Sequence, residues 1–250
     1  MSGFFRQLVG IVKKMFTTSK NDIPKRTQEP SNTIQKPSNE TVLSKPEDNS
    51  MSEQVKQKYL ALIVGHSKAD KGAVGVSPLN QQEYDYNKEV AEIAKSEGSK
   101  LNVIVEIFYR DNGGVLGAYK SATSWLDKNS GGAIIELHFN AANNKAIGTE
   151  VLYADVKDNK NVNEKFFAQC ILDSSCLAFS RDSKGNRGLK RETGAKGERG
   201  YSNLSQTVKY PSIIVEPFFG DVSSEAKMAL ERKNKYVVSL LEGYLKYLGV

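Results

Sequence analysis

Apolar side chains at Phe4, Phe5, Leu8, Val9, Ile11, Val12, Met15 and Phe16 alternate with Arg6, Gln7, Gly10, Lys13 and Lys14. This spacing predicts a basic amphipathic helix over residues 1–16. Residues 17–56 hold four of the seven prolines and are otherwise dominated by Ser, Thr, Asn, Gln, Lys and Glu. So little apolar content cannot offset the entropy of ordering, which predicts a disordered linker. The pattern changes in residues 57–250. Tyr59 to Val64 is a continuous apolar run, as for a strand buried on both faces. Glu83 to Glu97 places Tyr86, Val90, Ile93 and Ala94 on one helical face, with Gly98 as a stop. Strands are predicted at Leu101–Phe108, Ala133–Leu137, Thr149–Ala154 and Ser212–Val215, and helices at Val115–Lys128, Val162–Phe179 and Ser223–Leu248. Arg181 to Lys209, rich in Gly, Lys and Arg, reads as loop. Strands separated by helices predict an α/β fold: a mostly parallel sheet with helices on both faces. Ligands of such sheets bind beyond the carboxyl ends of the strands, so the active site is expected at that edge.

Composition narrows the partners. The chain has 250 residues, 39% of them hydrophobic, which is low for one compact body and agrees with part of the length lying outside a core. A net charge of +6 and a pI near 9.1 point to an anionic partner: nucleic acid, a membrane surface, or an acidic polymer such as cell wall. Nucleic acid is not expected, because no recognition motif accompanies the charge and aromatic interleaving is sparse. Cys170 and Cys176, the two cysteines, lie six apart in a predicted helix and form no disulfide framework. No stretch approaches the roughly 20 apolar residues of a membrane span. Residues 1–16 do not read as a signal peptide, since Arg6, Lys13 and Lys14 break the apolar run and no small-residue cleavage site follows.

The chain contains two histidines, His66 and His138, and each lies just past an apolar strand. Taken singly, either is an ordinary surface or core side chain. Two of two at strand ends point to one shared site. Glu83 opens a predicted helix and Glu216 ends the last strand. Each glutamate alone is readable as a solvated carboxylate, and Glu83 also as a charge favoured by the helix dipole. Together, two imidazoles and a carboxylate are a common catalytic zinc set. A further carboxylate outside that set is what metal-assisted hydrolysis needs for proton transfer.

At this point the residues resemble a known family. Val64-Gly65-His66-Ser67 with Lys71-Gly72-Ala73-Val74-Gly75 looks like the opening motif of the zinc-dependent N-acetylmuramoyl-L-alanine amidases of type 3. Glu83-Tyr84-Asp85-Tyr86-Asn87 is similar to their helix-start motif, and Tyr109-Arg110-Asp111 to the Thr-Arg-Asp after their second strand. Glu136-Leu137-His138-Phe139-Asn140-Ala141 resembles their Ser-x-His-x-Asn-Ala. Gly148-Thr149-Glu150-Val151, Asn186-Arg187-Gly188-Leu189-Lys190 and Ile214-Val215-Glu216-Pro217-Phe218-Phe219 follow in family order. The motifs cover roughly residues 59–248. Two departures stand out: a serine after His66 where the family often has glycine, and a very basic segment from Arg191 to Thr207.

The resemblance implies that His66, Glu83 and His138 hold one Zn2+ and that Glu216 is the general base and acid. Asn140, Arg110 and Glu150 occupy matched positions. Arg110 and Glu150 read as structural pairing or, like Asn140, as groups that support the metal ligands or touch substrate, and Asn140 reads either as an orienter of His138 or as loop chemistry. The implied activity is peptidoglycan hydrolysis by zinc-activated water, at the amide between N-acetylmuramic acid and L-alanine. The alternatives are another zinc amidohydrolase or exopeptidase on a similar scaffold, or a wall-binding module with a decayed site. The basic cluster Lys184, Arg187, Lys190, Arg191, Lys196 and Arg199 reads as a solvated loop or as a rim for stem-peptide carboxylates. Peptidoglycan is the expected substrate, and an anionic membrane surface or a docking protein the expected partner of residues 1–16. The site of action is expected at the bacterial wall, on its periplasmic or extracellular face. Delivery through a membrane pore or dedicated apparatus, as for a phage lysin, would suit the lack of a recognisable signal.

Overall fold

The computed structural model describes residues 57–154, 163–207 and 209–250. The expectations for residues 1–16 and 17–56 fall outside them. The elements run β1 (Lys58–Val64), α1 (Glu83–Lys100), β2 (Val103–Tyr109), α2 (Gly114–Lys128), β3 (Ala133–Leu137), β4 (Thr149–Ala154), α3 (Glu164–Ala178), β5 (Asn186–Glu192), α4 (Tyr201–Leu204), β6 (Ser212–Glu216) and α5 (Ser223–Tyr247). The six strands form one sheet in the order β2-β1-β3-β6-β4-β5. β2, β1, β3 and β6 are mutually parallel. β4 pairs antiparallel with β6 and parallel with β5.

Strand alternation sends side chains to two opposite layers. Leu60, Leu62, Val64, Ile135, Val151 and Ile213 meet Val90 of α1, Phe167 and Ile171 of α3, and Tyr236 and Leu240 of α5. On the other face Ala61, Ile63 and Ile134 meet Ala118, Tyr119, Ala122 and Leu126 of α2. The short α4 adds Leu204 over Leu152, Ala154 and Ile214. The expected α/β architecture with both faces covered is therefore present. No helix among the described residues is long and apolar enough to cross a membrane.

Three details differ from expectation. α1 does not stop at Gly98 but runs on to Lys100. Gly98 is buried there, and a Cβ on it would lie 2.7 Å from the Val103 carbonyl oxygen, so it serves close packing on β2 rather than capping. Arg181 to Lys209 is not all loop, since β5 and α4 lie within it. β5 is Asn-Arg-Gly-Leu-Lys-Arg-Glu, an edge strand whose charges hide the usual apolar signal and guard its open side. Finally, no helix separates β3 from β4, and β4 returns antiparallel. That reversal brings the start of β4 to the sheet edge where β1, β3 and β6 end.

Candidate metal centre and active site

His66 and His138 emerge at neighbouring strand ends because β1 and β3 are paired in register, Val64 opposite Leu137. The backbone of His66 adopts the left-handed region, φ 63°. A non-glycine residue there costs about 1–3 kcal/mol and persists only where its surroundings impose it. The loop from Gly65 to Gln82 then folds back, so that the Glu83 amide donates to the Ala73 carbonyl (2.8 Å) as α1 begins. Gly72, at φ 74°, lies against the site: a Cβ there would stand 2.5 Å from His66 Cδ2 and 2.8 Å from Glu83 Oε2.

Glu83 is buried between the two rings. Its Oε1 lies 2.7 Å from His138 Nδ1, and its Oε2 lies 3.2 Å from His66 Nε2. The same oxygens accept the Phe139 and Ala73 amides, each at 3.1 Å. Burial pushes this carboxyl upward, but the hydrogen bonds and charge of His138 and His66 outweigh it and bring the pKa down to about 2. Potential ligand atoms of His66, Glu83 and His138 all lie within 4.8 Å of one another. A carboxylate held ionised between two imidazoles at a cavity wall fits a zinc donor set that leaves one position open.

The cavity has a volume of about 430 Å³. Beside the cluster it is lined by Asn140, Arg199, Asn203 and Glu216. Glu216 ends β6 and is buried. Burial drives its pKa up, and Glu150 and Glu83 add to this. Arg199 and His138 pull against them, leaving it at about 7. Glu216 faces Glu150 directly across the β4–β6 ladder. Glu150 is also buried, and burial raises its pKa. Hydrogen bonds from Arg187 (2.7 Å), Arg199 (2.5 Å) and Asn140 (2.9 Å) nonetheless hold it below the ordinary carboxylate range.

The structure thus brings His66, Glu83, His138 and Glu216 onto one cavity and places the three other matched residues around it. Asn140 joins the Glu150 side through both ends of its amide, accepting from Arg199 (2.7 Å) and donating to Glu150. Arg110 pairs with the fully buried Glu136, and its Nη2 lies 3.3 Å from His138 Nε2. Of the basic cluster, Arg187 and Arg199 reach Glu150 and Lys190 stands 3.9 Å from it; Lys184 and Lys196, like both arginines, are exposed.

Sequence reasoning did not single out Glu136. Its carboxylate accepts from Tyr119 (3.0 Å) and Asn203 (3.1 Å) and stands 3.4 Å from His138 Nε2. The available signal was its position two before His138, on the same strand face, as the one charge in an apolar run.

No curated protein matches the chain significantly. Among solved structures it is similar to the N-acetylmuramoyl-L-alanine amidase from Clostridium difficile 630, with 20% identity and a TM-score of 0.62 over 78% of this chain and 98% of that one. It is also similar to the catalytic domain of CwlV, an N-acetylmuramoyl-L-alanine amidase from Bacillus (Paenibacillus) polymyxa var. colistinus, with 19% identity and a TM-score of 0.61 over 78% and 99%. A third is the catalytic domain of the CD27L endolysin targeting Clostridia difficile, with 25% identity and a TM-score of 0.54 over 76% and 98%. A shared fold alone would leave exopeptidases in play. The family profile for N-acetylmuramoyl-L-alanine amidase, however, matches residues 60–246. The chain therefore belongs to the N-acetylmuramoyl-L-alanine amidase family, whose members are in general zinc-dependent hydrolases of cell-wall peptidoglycan.

Proposed function

We propose that residues 57–250 cleave the amide between N-acetylmuramic acid and L-alanine, with one zinc ion per chain held by His66, Glu83 and His138 and with Glu216 as the proton carrier. One observation carries the reading. A second buried carboxylate, Glu216, lines the same cavity as the cluster without belonging to it. When bound, zinc supplies a Lewis acid that polarises the scissile carbonyl and eases deprotonation of water. Glu216 takes a proton from the attacking water and returns it to the leaving L-alanine nitrogen. A buried carboxylate whose pKa lies near 7 can do both near neutrality. Glu83, kept ionised by the two imidazoles, offers its charge to the metal rather than a proton to the reaction. Residues 1–16, by their basic amphipathic pattern, would localise the enzyme at an anionic lipid surface or on a docking protein.

The test joins metal analysis to turnover. Parent protein should carry close to one zinc per chain and release free stem peptides from purified peptidoglycan. His66→Ala and His138→Ala should lose the zinc. Glu216→Gln should keep both zinc and fold while turnover falls by about 10²- to 10⁴-fold. Full zinc retention in both histidine variants would sink the ligand assignment. A few-fold change in Glu216→Gln would reduce Glu216 to a structural role.

A further inference from the structure

The β4–β6 register sets two buried carboxylates, Glu150 and Glu216, directly opposite each other. Like charges at such a pair repel. The repulsion favours taking up a proton on one of them, and a protonated Glu216 cannot accept another. Arg199 stands between the two. Its Nη2 donates to Glu150 Oε1 at 2.5 Å, and its Nη1 lies 3.5 Å from Glu216 Oε2 while donating to Asn140 Oδ1 at 2.7 Å. Arg187 and Lys190 of β5 also approach Glu150, Arg187 at 2.7 Å and Lys190 at 3.9 Å, so Glu150 does not depend on Arg199 alone, and the second Arg199 nitrogen faces Asn140 and Glu216. The other charged or titratable groups bearing on Glu216 are His138 and Glu83, both in the metal cluster.

Arg199 arrives from a segment organised for the purpose. The Glu198 carboxylate accepts the amides of Thr193 (2.6 Å), Gly194 (2.5 Å) and Ala195 (3.1 Å), which closes the loop on itself. The next amide, Gly200, donates to the buried Glu192 at 3.0 Å. Arg199 is thus fixed on both flanks by contacts it does not make itself. Its side chain is 51% exposed and lines the cavity, so it is no element of the core.

We infer that Arg199 is a positioning residue of the reaction, favouring the ionised form of the Glu216 carboxylate at the cavity wall from the loop after β5. The inference rests on Glu216 being the proton carrier. Arg199 acts through Glu216, so its loss changes the chemical step and leaves ground-state substrate binding alone.

The experiment measures kcat, KM, zinc content and melting temperature of the full chain with soluble peptidoglycan fragments. Arg199→Ala should lower kcat by about 10- to 100-fold, the scale of supporting contacts around a metal site, with KM and zinc content unchanged. Arg199→Lys keeps the charge without the two-pronged reach and should recover part of that loss. It carries the test alone, through an intermediate kcat at parental KM, should Arg199→Ala fail to fold. A kcat within a few-fold of the parent in Arg199→Ala overturns the inference. So does a raised KM with parental kcat, which would make Arg199 a substrate-binding group. Glu216→Gln, assayed alongside, separates the two ideas. Parental turnover in Glu216→Gln removes the underlying reading. A dead Glu216→Gln beside an active Arg199→Ala removes only this one.

Discussion

The side chains most legible from sequence were those whose position follows from local pattern. His66, His138 and Glu216 each terminate an apolar run, and Glu83 opens a helix, so strand and helix ends alone placed them at one edge. Arg199 was visible only as one charge among six, because its role depends on where β4 turns. Glu150 illustrates the same dependence: its partners come from the β3–β4 loop, β5 and the segment beyond. Its electrostatics have a measurable consequence. The folded-state pKa lies below the ordinary 4.5, so Glu150 contributes stability that is present above about that pH and is lost as pH falls through the folded value. Glu150→Gln removes that contribution. The variant should be less stable than the parent at pH 7 by about 1–2 kcal/mol, below the cost of breaking a fully buried pair, because Arg187 and Arg199 are partly exposed and can rehydrate. Urea midpoints should converge as pH is lowered toward 3. A gap that stays constant with pH would mean the residue stabilises by packing alone.

α5 shows how far helical periodicity reaches. Spacing places Val237, Leu240, Leu241, Tyr244 and Leu248 inward; the first four are buried, whereas Leu248, just past the helix end, is 39% exposed. Periodicity does not say which polar atoms find partners. Tyr244 donates its hydroxyl to the Tyr59 carbonyl at 2.7 Å, whereas the Tyr236 hydroxyl is buried without a hydrogen bond. Two tyrosines two turns apart on one helix should therefore respond in opposite ways to the same deletion. Tyr236→Phe relieves an unpaired polar group and should raise stability by about 1 kcal/mol. Tyr244→Phe should lower it by about 1 kcal/mol. Equal signs in thermal melts would overturn the contrast. The direction of β4 and the strand character of β5 were not legible for a related reason. A strand paired on one side only can be charged, and a run of six residues carries no mark of which way it points.

For the chain as a whole, the boundary near residue 57 rests on composition. If the chemistry lies wholly beyond it, a protein starting at Lys56 should bind zinc and cleave soluble fragments at close to the full-length rate. It should lose its affinity for anionic vesicles or for its docking partner. Loss of cleavage would put residues 1–56 inside the catalytic unit. Zinc should also stabilise the folded state by mass action, about 2.7 kcal/mol at a hundredfold excess over its dissociation constant, so chelation should lower the melting temperature. The aromatic inventory supplies the means to watch both events separately. The two histidines of the whole sequence sit with ring centroids 5.0 Å apart at the cluster. The single tryptophan, Trp125, lies in the opposite layer between Tyr59 (5.8 Å) and Phe108 (6.1 Å). Imidazole resonances in an NMR spectrum would therefore report the metal site with no background. Indole fluorescence would report the docking of α2 on the sheet. Chelation should move the first signal while leaving the second in place, and denaturant should move both together if the fold melts as one unit.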